Sequence, residues 1–131
     1  MFANKKQPPI KSLIAEGCQI EGHLSFSEGL RVDGHVNGNL LALGDAPSLL
    51  VISESAVVVG EVRADHVIIS GKVVGPIHSG ELLELQPKAR IQGDVHYKAL
   101  EMHQGATIAG HLRPGALTED KPALKLAANN P

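Results

Sequence analysis

Along most of the chain, aliphatic and polar side chains alternate in very short runs that are interrupted by glycine. An alternation of period two is typical of β-strands that bury one face. The recurring unit is an aliphatic residue, any residue, glycine, any residue and a second aliphatic residue. It occurs six times, at residues 20–24, 36–40, 58–62, 73–77, 91–95 and 108–112. The pattern therefore predicts a repeated set of short strands.

The spacing of this unit predicts how the strands are assembled. Its glycines, at positions 22, 38, 60, 75, 93 and 110, are 16, 22, 15, 18 and 17 residues apart, and the one long step contains an insertion at 41–48. A repeat of about 17 residues is too short for a helix and a strand, so it must bury its apolar side by stacking on its neighbours. We therefore predict an all-β, single-domain parallel β-helix of about six coils.

Aliphatic positions upstream of each unit predict which side chains face the interior. Residues 50–62, 83–95 and 100–112 align position for position, and residues 30–40 align with 67–77 in a shorter form of the coil. The glycine of each unit either turns a corner with positive φ or lets the next coil approach closely. The first coil contributes Ile14, Cys18, Ile20 and Leu24 to the same columns.

Residues 13–40, LIAEGCQIEGHLSFSEGLRVDGHVNGNL, combine an EG-x-x-I-EG run with a GL-R-V-DG-x-V-x-G run. This combination resembles the opening of the bactofilin domain, and the resemblance extends over residues 12–112. It implies a right-handed parallel β-helix that forms non-polar filaments without nucleotide. It also implies a bacterial cytoskeletal scaffold for cell shape or envelope processes.

The two ends of the chain differ in composition from the repeats. Residues 1–12 hold two adjacent prolines and three lysines, and residues 114–131 hold three further prolines among polar residues. We expect both segments to be disordered tails and residues 13–113 to form the β-helix. An apolar tip beside positive charge also predicts membrane contact by Met1, Phe2, Lys5 and Lys6, because such a tip inserts among anionic headgroups.

Both ends of such a rod would present unpaired strand edges over an open apolar core. Solenoids that stay monomeric cover these ends with caps, so we predict end-to-end assembly into a homopolymer. The side chains expected in these contacts are Ile14, Cys18, Ile20 and Leu24 at one end and Leu100, Met102, Ile108 and Leu112 at the other. In the alternative, the two tails fold back and cap the ends.

Composition and charge narrow the function classes. The net charge of −2 gives no general attraction to nucleic acid, and we expect none to bind. The single cysteine, Cys18, excludes an internal disulfide and a CxxC site, and the chain shows neither a long apolar run nor a signal sequence. We predict a cytoplasmic protein at the periphery of the inner membrane. Its expected partners are further copies of itself and the membrane surface, with cell-wall enzymes or other envelope proteins as further candidates.

A search for catalytic chemistry finds little. The seven histidines form no HxH or HxxxH pair, and no nucleotide-binding or hydrolase motif occurs. We therefore predict no enzyme, no metal and no cofactor. The alternative is a left-handed hexapeptide-repeat acyltransferase or carbonic anhydrase-like enzyme, whose coils of 18 residues in strict sixes do not match the 15- to 17-residue steps found here.

Overall fold

The computed structural model describes residues 7–115, and within this range every regular element is a β-strand. The strands are β1 (Ile10–Ile14), β2 (Gln19–Glu21), β3 (Leu24–Phe26), β4 (Gly29–Val32), β5 (His35–Asn37), β6 (Leu40–Ala42), β7 (Leu49–Ile52), β8 (Val57–Val59), β9 (Val62–Ile69), β10 (Lys72–Val74), β11 (Ile77–Leu85), β12 (Arg90–Gln92), β13 (Val95–Met102), β14 (Thr107–Ala109) and β15 (Leu112–Pro114).

These strands form six stacked coils with three strand segments in each. The long strands β9, β11 and β13 each close one coil and open the next. The two halves of β9 pair with β6 and β7 of the preceding coils, and the register shifts between the two halves of β11. All pairings are parallel, and the strands collect into one nine-stranded and one six-stranded sheet. The predicted all-β parallel solenoid of about six coils is confirmed.

The registers reproduce the columns that the repeat predicted. In the six-stranded sheet the central column is Ile20, Val36, Val58, Val73, Ile91 and Ile108. In the other sheet Leu50, Val67, Leu83 and Leu100 lie in register. Side chains of the inner coils are fully buried in these columns, and together they form one continuous core.

The repeated glycine is required by the close approach of successive coils. At Gly60, where φ is 149°, an added Cβ would lie 2.0 Å from the carbonyl oxygen of Gly38 in the coil below. No side chain fits in that space. The glycine column therefore sets the contact between coils.

A second buried row was not predicted. Leu49, His66 and Leu82 lie in register, one residue before the core positions, and are almost fully buried outside the continuous core. Among residues 7–115, no group forms a hydrogen bond with the Nδ1 atom of His66. Two neighbouring positions are therefore buried in each of these three coils.

The predicted insertion is shorter than 41–48, because Leu41 and Ala42 belong to β6. Its remaining residues form a loop that is fastened to the next coil. The Ser48 amide donates to an Asp65 carboxylate oxygen at 3.2 Å, and the Asp65 amide donates to the Ser48 hydroxyl at 2.9 Å. Ser48 is buried by this exchange.

The strands of the solenoid reach slightly beyond the predicted bounds of the β-helix, 13–113. Ile10 and Ser12 belong to β1 and pair with Gly29 and Leu30, so the solenoid begins before residue 13. The prolines at 8 and 9 precede this strand and remove no amide from it. At the other end, Pro114 completes β15, since proline is tolerated on an edge strand. Residues 1–6 and 116–131, which hold half of the predicted N-terminal tail and most of the predicted C-terminal tail, lie outside the described residues.

Candidate self-assembly ends

The two ends of the solenoid are the places where strands have a neighbour on one side only. Within residues 7–115, β1, β2 and β3 pair only with the second coil. Residues 99–102 of β13, together with β14 and β15, pair only with the fifth coil. We call these surfaces the N-terminal end and the C-terminal end. Each presents backbone groups that could continue the ladder in another chain.

The N-terminal end brings together the four side chains predicted for it, but they are not equally available. Ile20 and Leu24 are half-buried and Cys18 is exposed. Only 7% of the Ile14 surface is exposed, because this residue packs into the core. Ile14 therefore has little surface left for a contact with another molecule.

A pocket of about 480 Å³ opens among these residues at the N-terminal end. Ser12 lines this pocket, pairs with Leu30 and takes the place that aliphatic residues occupy in the other five coils. The apolar side chains that line the pocket are Leu13, Ile14, Ile20, Leu24, Phe26, Leu30 and Leu43. This end is therefore recessed.

The C-terminal end has no such substitution in its columns. Leu100 and Ile108 are half-buried, whereas Met102 and Leu112 are 45% and 48% exposed. The register partners of these four residues in the fifth coil are all buried: Leu83, Leu85, Ile91 and Val95. The loss of one covering coil explains the exposure of the four predicted residues.

Sequence reasoning missed three exposed residues near the N-terminal end. Leu13 and Leu43 are 58% and 54% exposed, and Ile10 is exposed as well. Leu43 belongs to the insertion and Ile10 to the segment assigned to the tail, so neither was placed on the solenoid. Leu13 lies between Ser12 and Ile14, whose positions face the interior, so the alternation directs Leu13 outward. A leucine at an outward-facing position was the signal that the sequence offered.

The residues predicted to contact the membrane, Met1, Phe2, Lys5 and Lys6, lie outside the described residues. Within residues 7–115, no helix is long and apolar enough to cross a bilayer. The same range contains no group of three or more His, Cys, Asp or Glu side chains that could hold a metal ion.

A groove of about 690 Å³ on the side of the solenoid has a different chemistry. Arg63, His78 and His96 line this groove and lie in register on successive coils. The rings of His78 and His96 stack with centroids 4.4 Å apart. Glu61 lies 2.7 Å from Arg63 and 3.4 Å from His78. Glu61 therefore pairs with two members of this basic column.

Burial lowers the pKa of the His78 imidazole, and the Arg63 guanidinium and the His96 ring act in the same direction. Glu61 opposes them. In the last coil, hydrogen bonds from the backbone and the ring of His111 lower the pKa of Asp94. These shifts have structural causes and require no reacting group.

The fold places this chain among the structural β-solenoids. Its prominent features are the strand edges and the apolar side chains at its two ends. The family described as "Bactofilin: Polymer-forming cytoskeletal" matches residues 12–113. The chain belongs to the bactofilin family, whose members are cytoskeletal proteins.

Two relatives from Myxococcus xanthus (strain DK1622) support this assignment. Bactofilin BacP is 30% identical over 118 residues, which cover 86% of this chain and 48% of BacP. Bactofilin BacO is 27% identical over 101 residues, which cover 77% of each protein. The chain thus spans about half the length of BacP.

A solved structure has the same fold. The solid-state NMR structure of the cytoskeletal bactofilin BacA matches with a TM-score of 0.69 and 28% sequence identity. The match covers 80% of this chain and 96% of the BacA chain.

Proposed function

We propose that this chain polymerises without nucleotide, through end-to-end stacking of its β-solenoid, into a filament that serves as a membrane-associated scaffold. The observation that carries the proposal is the state of the two end coils. Both present strands that pair on one side only within the described residues, next to half-buried or exposed aliphatic side chains. A second copy would satisfy both features at once, because it supplies matching strands and a matching apolar core.

The direct test is to purify the protein without nucleotide and to examine it by electron microscopy and sedimentation. Ile20→Arg and Leu112→Arg each place a charge in one end, and Val59→Arg is the matched control because Val59 is exposed on the side of the rod. We expect long filaments for the control and short oligomers for each end variant. Filaments that persist in both end variants would refute end stacking.

The same sedimentation experiment separates the rival functions. Particles of one fixed size, such as trimers, would favour the acyltransferase or carbonic anhydrase alternative. Monomers at all concentrations would favour a scaffold that binds other proteins on its flat faces. A distribution of lengths that grows with concentration supports the polymer.

We also propose that the filament is non-polar, which requires like ends to meet. The support is the family membership, since the resemblance implies non-polar filaments. Cys18 is the only cysteine of the chain and is exposed at the N-terminal end. A short bifunctional thiol reagent should therefore link two chains within filaments. A head-to-tail filament would give no linked dimers.

The membrane part of the proposal rests on Met1, Phe2, Lys5 and Lys6. One apolar tip with two lysines binds weakly, but a filament repeats the tip many times and gains avidity. We propose that the filament lies at the inner face of the cytoplasmic membrane, where its partners would be envelope proteins or cell-wall enzymes.

Vesicle sedimentation tests this part separately. Removal of residues 1–6 should release the protein from anionic vesicles, and Phe2→Ser and the pair Lys5→Gln with Lys6→Gln should each weaken binding. Neutral vesicles are the control, because the lysine contribution depends on anionic lipid. Unchanged binding after the deletion would refute the membrane contact.

A further inference from the structure

The two ends of the solenoid differ in how completely their apolar columns are filled. At the C-terminal end, Leu100, Met102, Ile108 and Leu112 continue four columns that are buried one coil earlier. At the N-terminal end, Ser12 stands in the column that Leu100 occupies in the last coil. Two chains that meet through their C-terminal ends therefore bring together two complete apolar layers.

The recess at the N-terminal end weakens the corresponding contact there. A pocket of about 480 Å³ opens among the described residues of this end. When two N-terminal ends meet, each recess faces the recess of the other chain. The apolar side chains around it then lack contact atoms on one side, which forfeits dispersion energy and leaves the cost of a cavity. This contact therefore gains less from burial than the contact between C-terminal ends.

The charges of the two end coils act in the same direction. Residues 10–26 of the first coil contain Lys11 against Glu16 and Glu21, both of them exposed, so one negative charge remains. Residues 99–114 of the last coil contain one acidic and one basic side chain, Glu101 and Arg113, which balance each other. A contact between two first coils brings like charges together and is therefore opposed by repulsion. A contact between two last coils is not.

We propose that the two junctions of the filament are unequal, with a strong junction between C-terminal ends and a weak junction between N-terminal ends. This inference rests on the proposed function, in which like ends meet. Chains then pair first through their C-terminal ends, and the resulting dimers join through their N-terminal ends. The dimer is the unit that adds to the filament, and the N-terminal junction is the place where the filament grows and breaks.

Variants that keep only one junction test this order. Ile20→Arg blocks the N-terminal end and leaves the C-terminal junction, whereas Leu112→Arg blocks the C-terminal end and leaves the N-terminal junction. Sedimentation over a dilution series gives the dissociation constant of each dimer. We expect the dimer of Ile20→Arg to be tighter by at least about tenfold. The double variant should stay monomeric, which checks that each arginine blocks its end.

Ionic strength distinguishes the two dimers further. Higher salt screens the glutamates that meet at the N-terminal junction. The dimer of Leu112→Arg should therefore become tighter as salt is added, and the difference between the two dissociation constants should narrow.

A gain of affinity tests the recess itself. Ser12→Leu restores the aliphatic column of the other coils. In the Leu112→Arg background it should tighten the dimer by roughly tenfold to a hundredfold, because the junction contains the substitution twice. In the Ile20→Arg background, where the C-terminal ends form the dimer, the same substitution should leave the dissociation constant unchanged. An N-terminal dimer that Ser12→Leu does not strengthen would contradict the proposal.

The same measurements separate a failure of this inference from a failure of the proposed function. An N-terminal dimer as tight as the C-terminal dimer, or tighter, would overturn the unequal junctions and leave the filament intact. If both single variants stay monomeric while the wild-type protein forms filaments, unlike ends meet, and both the non-polar arrangement and this inference fail. If the wild-type protein forms no filaments, the proposed function fails, while the two dimers still decide whether the ends differ in strength.

Discussion

The inner coils and the end coils of this solenoid are built from the same repeat, yet their side chains have different surroundings. Leu83 and Leu100 lie in register on adjacent coils, but Leu83 is fully buried and Leu100 is half-buried. The difference comes only from the missing neighbour. A repeat that is complete in the middle of the rod is therefore incomplete at the ends, and the end positions are the ones available for assembly.

The glycine column offers the largest expected effect. Gly60→Ala adds a Cβ 2.0 Å from the Gly38 carbonyl oxygen at a residue with φ of 149°. Strain and overpacking together should reduce the free energy of unfolding by about 2–6 kcal/mol, measured by chemical denaturation. A loss below about 1 kcal/mol would mean that the coils can move apart.

Gly22 is the matched position in the first coil. Each inner glycine of this column would direct an added Cβ against the preceding coil, but at Gly22 no atom of the described part of the chain lies within 4 Å of the added Cβ. Gly22→Ala should therefore lose only the strain of its φ of 119°, about 1–3 kcal/mol. Its added methyl group faces the N-terminal end, so assembly should weaken more than folding. Normal filaments from a folded Gly22→Ala would argue against close backbone stacking there.

The leucine pair gives the next largest difference. Leu83→Ala should cost about 2–5 kcal/mol, and Leu100→Ala about 1–2 kcal/mol because Leu100 is already partly solvated. Denaturation should be measured in a Leu112→Arg background that keeps the protein unassembled. Equal losses would mean that the last coil is as well covered as the inner coils.

The smallest expected difference between inner and end coils is the effect of their histidines on the pH dependence of stability. Because the pKa of His78 is lowered in the folded state, the unfolded chain takes up a proton first as the pH falls below about 6.5. Stability should therefore decline with falling pH between this value and the lower pKa of the folded state. His78→Gln should flatten this decline, whereas His23→Gln on the exposed first coil serves as the control. An unaltered pH profile in His78→Gln would contradict the assignment.

The columns of the fold could be predicted because stacking repeats one environment at a fixed interval. Each of Leu50, Leu83 and Leu100 occupies a place defined by its own coil, and the structure confirms that they lie in register. The outermost strands include Ile10 and Pro114, just beyond the predicted bounds 13–113, because prolines indicate the limit of a strand only approximately.

The features that escaped prediction depend on contacts between coils. The row of Leu49, His66 and Leu82 is buried next to the core positions, and periodicity alone does not assign two adjacent residues to buried positions. The recess beside Ser12 depends on an exact register with Leu30. The exposed position of Leu43 depends on how the insertion leaves the sheet. A single coil does not contain this information.

Hydrogen exchange of backbone amides tests the central claim most directly, because it reports the pairing of the end strands themselves. Monomeric and assembled protein should be compared at residues 19–24 and 107–112, with residues 57–59 and 72–74 of the inner coils as the internal reference. Assembly should slow exchange at one or both end segments and leave the inner segments unchanged. Filaments in which both end segments exchange as fast as in the monomer would show that the solenoids do not join through their ends.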